Sequence, residues 1–250
     1  MSRISLGDGE ADLWLLRLDQ IGPEQVAGAA ALMSSDEGAR QMRLRYPHLR
    51  RAFTVTRALV RLTLSQYADV DPAAWEFDHA EHGKPRIAKP RGIDLGFSVS
   101  HTSSLIAVLV VRGAEAGVDV ERIDRDFRVE SIAQRFFSPA ERAALLNLEE
   151  HRRARRFFQL WTAKEAYLKA RGLGLLLPLD GFSIAFGSGD RPSISFHGIT
   201  DDAEQWQLEH LAVGEDHAAT IAFRGGATRT RALRLFDASV LWHVDRAATA

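Results

Sequence analysis

Apolar and polar positions along the chain fall into two similar series. Leu13 to Leu18 is a short apolar run that reads as a strand. Between Leu49 and Tyr67 the apolar positions Phe53, Leu59, Val60 and Leu64 recur near helical spacing, and Asp71-Pro72 breaks the chain after them. A β-rich stretch follows: Trp75 to His79, a turn at His82-Gly83-Lys84-Pro85, Phe97 to His101, and Leu105 to Arg112. Gly113 to Gly117 separates it from Val118-Asp119-Val120-Glu121. In the second half a helical pattern runs from about His151 to Arg171 and stops at Gly172. Asp180 to Phe186, Trp206 to Leu211 and His217 to Phe223 then read as strands.

Helix starts mark both halves. Ser34 and Glu37 have the spacing of a capping box, and Ser138-Pro139-Ala140-Glu141 adds proline at the first helical position. These pairs coincide at a shift of 104 residues, and Arg50, Arg51, Phe53 and Ala58 fall on Arg155, Arg156, Phe158 and Ala163 at a shift of 105. The echo predicts two similar α+β lobes related by an approximate two-fold axis, divided as 1–113 and 114–250. On that register Val60 stands where the second lobe has Glu165.

Composition narrows the class. The chain has 250 residues, long enough to bury a sizeable core without staples. It has no cysteine, which excludes a disulfide framework, a cysteine zinc site and a cysteine nucleophile. The formal net charge is −1, so nothing global points to nucleic acid or a membrane as partner. No segment approaches the ~20 apolar residues of a membrane span, and the amino terminus lacks the pattern of a signal peptide, so a cytoplasmic protein is expected. Charge is uneven, however: residues 40 to 61 carry seven arginines and no Asp or Glu, which suits an anionic ligand or a solvated helix face.

Four short pieces carry chemistry. On a strand, Asp119 and Glu121 share one face roughly 6–7 Å apart, an arrangement of oxygen ligands that suits Mg²⁺ or simply makes an acidic outer face. On the long helix, Trp161, Glu165 and Lys169 share a face, while Lys164 lies about 100° from Glu165. Phe97, Val99 and His101 share one strand face, and Ser98 and Ser100 the other; His101 with the following hydroxyls suits phosphate or a structural role. Lys84 and Pro85 sit on a tight turn.

Together these pieces resemble the surfactin-type 4′-phosphopantetheinyl transferases. The matching text is GKP at 83–85, FSVSHTSS at 97–104, GVDVERI at 117–123, FFSPAER at 136–142 and FFQLWTAKEAYLKARGLGL at 157–175. The resemblance covers residues 75 to 186 well. It implies an α+β pseudo-dimer of two lobes, each a small antiparallel sheet packed with a long helix, with coenzyme A between them. It assigns Asp119, Glu121 and Glu165 to Mg²⁺. Lys84, Pro85, Ser100, His101, Lys164 and Lys169 fall on coenzyme A contacts, with His101 at the 3′-phosphate and Lys169 at the diphosphate. Arg40 and Arg51 are selected from the arginine-rich segment as further 3′-phosphate contacts.

The reaction so implied is attack of a carrier-protein serine on the pantetheine-side phosphorus, with 3′,5′-ADP leaving. Glu165 or a metal-bound water would take the serine proton, and Lys169 would assist the leaving group. An acidic acyl or peptidyl carrier protein is the expected partner, met by basic and apolar surface near the cleft, for which Arg152, Arg153, Arg155 and Arg156 are candidates unless they form a solvated helix face. Internal duplication makes a monomer the simplest expectation. The competing readings are a Mg²⁺-dependent phosphodiesterase and a non-catalytic module that binds coenzyme A or a carrier.

Overall fold

The computed structural model describes residues 3–80, 82–124, 128–225 and 232–242. In chain order the elements are β1 (Glu10–Arg17), α1 (Pro23–Ala30), α2 (Ser35–Arg43), α3 (Pro47–Leu64), β2 (Glu76–His79), β3 (Pro85–Lys89), β4 (Gly96–His101), β5 (Leu105–Val111) and β6 (Ala116–Arg122). They continue with α4 (Val129–Phe136), α5 (Pro139–Leu146), α6 (Glu150–Arg171), β7 (Phe182–Phe186), β8 (Pro192–Phe196), β9 (Trp206–Leu211), β10 (His217–Arg224) and β11 (Ala232–Asp237). Among them no helix is long and apolar enough to cross a membrane.

Strand alternation explains the layering. One sheet runs β11-β1-β5-β4 and the other β6-β10-β9. On β5, Ile106, Val108 and Val110 pack with Val55 and Leu59 of α3, whereas Leu105, Ala107, Leu109 and Val111 join a core formed with Val118, Val120, Ala219 and Ile221 of the second sheet. The two sheets therefore bury one face against each other, and each is covered outside by its own long helix, α3 or α6. This is the α+β architecture of two similar lobes that the repeat predicts.

Paired helix starts confirm the likeness of the lobes. Ser34 and Ser138 each accept from the backbone N–H three residues on, and Glu37 and Glu141 each reach back to the cap. Both glutamates then meet a buried cation on the long helix of their lobe. Glu37 Oε2 lies 2.7 Å from Arg61, and Glu141 Oε2 lies 2.9 Å from Lys164.

Five elements differ from expectation. α1, β3, α4, β8 and β11 are not legible in the apolar pattern, being short or without clean alternation. β11 pairs in parallel with β1 from Glu10 to Leu15, and Arg234 on it forks onto Asp12, which is 0% exposed. A strand from the far end of the chain thus completes the first sheet, although a division at 113/114 counts it with the second lobe.

Candidate active site

Gly117 makes the site possible. A Cβ there would lie 2.2 Å from the carbonyl oxygen of Ala166 and 2.5 Å from the backbone nitrogen of Ala170, so only glycine lets α6 lie directly on β6. Sequence reading treats this residue as a turn marker; in the fold it sets the helix–strand distance. With Val118 and Val120 buried between the sheets, Asp119 and Glu121 necessarily face α6, the side from which Glu165 and Lys169 arrive.

Asp119 is nearly enclosed, at 4% exposure. Its Oδ1 accepts from Ser100 Oγ at 2.8 Å and from Lys169 Nζ at 2.7 Å, while Oδ2 is buried with no hydrogen-bond partner. Burial first, and then the Asp119 charge, pushes the Glu121 carboxyl up to about 7, with Glu165 adding to the repulsion and Lys169 and a hydrogen bond from Trp161 opposing it. Glu165 is raised for the same two leading reasons, burial and Asp119. His101 stands at the rim, open to solvent on one side. Desolvation by the rest of the wall, then the Lys169 and Arg57 cations, hold its pKa below the ordinary imidazole value.

These groups share a cavity of about 450 Å³, walled by Ser100, His101, Asp119, Glu121, Glu165 and Lys169 together with Phe53, Thr56, Arg57, Val99 and Trp161. Two further cavities adjoin it. One of about 540 Å³ shares Arg57 and is rich in cations, with Arg40, Arg43 and Arg61, beside the carboxylates of Asp36, Glu37 and Glu76. The other, of about 230 Å³, shares Val99, Glu165 and Lys169 and is more apolar, with Pro85, Phe97 and Leu168.

The residues singled out in the sequence divide accordingly. Asp119, Glu121, Glu165, Lys169, Ser100 and His101 converge. Lys84 and Pro85 line the apolar cavity, and Arg40 the cationic one. Lys84 also ties the lobes together: its Nζ donates to the carbonyls of Ala170 and Ala116 at 2.9 and 3.3 Å, and burial lowers its pKa against the pull of Glu115.

Two assignments need correcting. Lys164, expected at coenzyme A, is 0% exposed on the far side of α6, where it donates to the carbonyls of Leu179 and Phe182 at 2.7 Å and pairs with Glu141. The roughly 100° turn between neighbouring helix residues that brings Glu165 to the cavity takes Lys164 into the core. Arg51 likewise lines none of these cavities, and its guanidinium is engaged with the carbonyls of Leu18 and Ile21 at 2.6 and 2.5 Å. The arginine that does reach the site is Arg57, which sequence reading missed. It lies one helical turn beyond Phe53, its Nε is buried without a hydrogen bond and 3.9 Å from Glu37, and burial lowers its pKa despite that glutamate.

Comparison with known proteins defines the class. Residues 115–222 match the family model described as the 4′-phosphopantetheinyl transferase superfamily. The chain is 35% identical over 225 residues to the 4′-phosphopantetheinyl transferase HetI of Nostoc sp., which covers 89% of this chain and 91% of that protein. It is 34% identical over 136 residues to the 4′-phosphopantetheinyl transferase Sfp of Bacillus subtilis, 54% of this chain and 58% of that one. Among solved structures, a holo-(acyl-carrier-protein) synthase from Bacillus anthracis in complex with CoA (3′,5′-ADP) matches 45% of this chain and 96% of its own at 19% identity, with a TM-score of 0.39. The chain belongs to the 4′-phosphopantetheinyl transferase family, and its relatives include surfactin-type members.

Proposed function

We infer that the chain transfers the 4′-phosphopantetheine arm of coenzyme A to a serine of an apo carrier protein. The observation that carries this reading is a group of three adjoining cavities: one lined by four arginines, one holding Asp119, Glu121, Glu165 and Lys169, and one more apolar. Coenzyme A has matching parts: a phosphorylated nucleoside, a diphosphate and an uncharged pantetheine arm. On this reading Arg40 and Arg57 face the 3′-phosphate with His101, and the pantetheine arm runs past Leu168. The lobes divide near residue 113, with β11 returning to the first.

Mg²⁺ belongs to the same proposal. As the side chains lie, no group of three or more His, Cys, Asp or Glu among the described residues is arranged to hold a metal ion, and Lys169 occupies one oxygen of Asp119. The donor set nevertheless fits a hard cation: Asp119 Oδ2 is buried and unpartnered, and Glu121 and Glu165 repel it and each other. Asp119, Glu121 and Glu165 would hold the ion, which when bound offsets charge on the diphosphate.

The chain's own residues supply the rest. Ser100 and Lys169 orient Asp119, and Trp161 holds Glu121. Lys169, on the same face of α6 as Glu165, donates to the leaving phosphate. Glu165 takes the serine proton directly or through a water, a role that competes with holding the ion, because coordination would lower its basicity. We place this activity in the cytoplasm, where coenzyme A and apo carriers meet, and in a monomer, because both lobes come from one chain.

Incubation with coenzyme A, Mg²⁺ and a set of apo carrier proteins, read by intact mass, tests the reading. A gain of one phosphopantetheine on the carrier serine supports it. Hydrolysis of coenzyme A without carrier modification points instead to a phosphodiesterase, and binding without reaction to a non-catalytic module.

A further inference from the structure

Large apolar side chains gather at one exposed corner of the first lobe. Met42 is 65% exposed, Tyr46 49% and Leu49 41%, at the end of α2 and the start of α3. Such a group at the surface marks a contact site more than chance exposure of one residue does. The corner is held in shape from within. Arg50 Nε donates to the Leu44 carbonyl at 2.7 Å, and Gln41 Nε2 to Thr54 Oγ1 at 2.8 Å.

The chain through the corner carries charge of one sign. Residues 40 to 61 include no Asp or Glu, Arg43 and Arg45 are exposed, and the Arg45 guanidinium lies 5.4 Å over the Tyr46 ring. The corner also leads to the chemistry. Leu49, Phe53 and Arg57 follow at four-residue spacing on one face of α3, and Phe53 and Arg57 wall the acidic cavity. Four helical residues span about 6 Å, so a partner on Leu49 is one turn from the first wall residue of that cavity and two from Arg57.

The arginines expected from sequence to meet the acceptor are otherwise occupied. Arg153 donates to the carbonyls of Leu148 and Leu146, Arg155 to that of Glu215, and Arg156 to Asp190. They pin the start of α6 to its own lobe and leave Arg152 at the adjoining surface cavity.

We propose that the Met42–Tyr46–Leu49 corner docks the protein acceptor, an acidic partner with an apolar spot ringed by carboxylates. The inference rests on the transferase reading and names the surface by which that site receives its second substrate. Complementary charge would steer the encounter, and the apolar contact would hold the partner in place.

Steady-state transfer to an apo carrier tests it with Met42→Asp, Leu49→Asp and Arg45→Glu, and with Arg152→Glu for comparison. Thermal melts of each variant separate docking from folding. The carrier KM should rise about tenfold or more in the corner variants, while their coenzyme A KM stays within about twofold, and raised salt should raise the wild-type carrier KM. Arg152→Glu should resemble wild type. An unchanged carrier KM at the corner, a rise confined to Arg152→Glu, or a parallel rise in the coenzyme A KM overturns the proposal. A wild-type protein that modifies no carrier overturns the transferase reading and the docking with it; an active enzyme with an insensitive corner overturns the docking alone.

Discussion

Lys169 Nζ stands 2.7 Å from one oxygen of Asp119, while the other oxygen is buried without a hydrogen-bond partner. One ammonium therefore balances only part of an acidic site that also includes Glu121 and Glu165. The Glu121 pKa is raised in the fold to about 7 from an ordinary 4.5. Its stabilising contribution is thus fully present below the lower value and lost as pH rises through the higher one. The loss is on the order of 1–2 kcal/mol once solvent screening of this partly exposed group is allowed for. Without metal, Tm should fall between about pH 5 and pH 8, and Glu121→Gln should flatten that part of the fall. Mg²⁺ should raise Tm more at the higher pH. Calorimetry at both values checks this, and a Mg²⁺ effect independent of pH would argue against metal binding by these carboxylates.

Lys164 and Glu141 form a pair with side chains 0% and 1% exposed, so removing either partner strands a charge in the core. Burial already lowers the Lys164 pKa despite Glu141. Lys164→Met should cost about 3–5 kcal/mol of stability. The fraction that still folds should keep the wild-type KM for coenzyme A. Denaturant unfolding and initial rates together decide: a raised KM with unchanged stability would return Lys164 to the donor site.

How far the fold and site can be read from residues alone depends on period. Alternation placed Asp119 and Glu121 on one face and Val118 and Val120 on the other, and four-residue spacing aligned Trp161, Glu165 and Lys169 on α6; the structure shows both patterns. Lys164 illustrates a limit of composition: a lysine beside a site residue looks like a ligand contact until helix rotation and the partner Glu141, 23 positions earlier, are known. Arg57 illustrates another. Seven arginines crowd residues 40 to 61, and only packing tells which one reaches the cavity and which, like Arg51, serves backbone carbonyls. β11 was hidden because its reason for existing is the parallel edge of β1, more than two hundred residues away in the chain.

Gly117 links fold to chemistry through distance alone. Its substitution by alanine sets a methyl group against the Ala166 carbonyl, which is backbone and cannot rotate aside. α6 must then lift from β6, carrying Glu165 and Lys169 away from Asp119. Gly117→Ala should lose about 1–3 kcal/mol through overpacking. It should also lose about a hundredfold in kcat/KM, because misplacement by about an ångström suffices for that. Gly28→Ala, on α1 where nothing lies within 4 Å of an added Cβ, is the control for glycine loss as such. Measuring stability and rate for both variants separates the effects. A fully active Gly117→Ala protein would show that the close approach does not matter to the reaction.

Arg57 and Arg51 lie on the same helix and differ in what they touch. Arg57 walls the acidic and the cationic cavities, with Nε buried without a hydrogen bond and 3.9 Å from Glu37 Oε1. Arg51 bonds two carbonyls of the segment after β1. A cation left without a full set of partners beside His101 is suited to an anionic group, and its loss should weaken phosphate contact by about 1.5–3 kcal/mol, the worth of a charged hydrogen bond. Arg57→Ala should therefore raise the KM for coenzyme A about tenfold to a hundredfold. The effect should be smaller for dephospho-coenzyme A, which lacks the 3′-phosphate. Arg51→Ala should leave both KM values near wild type and lower Tm instead. Equal losses with the two donors would place Arg57 at the diphosphate, and a KM effect in Arg51→Ala would mean that this side chain leaves the carbonyls of Leu18 and Ile21 when the donor binds.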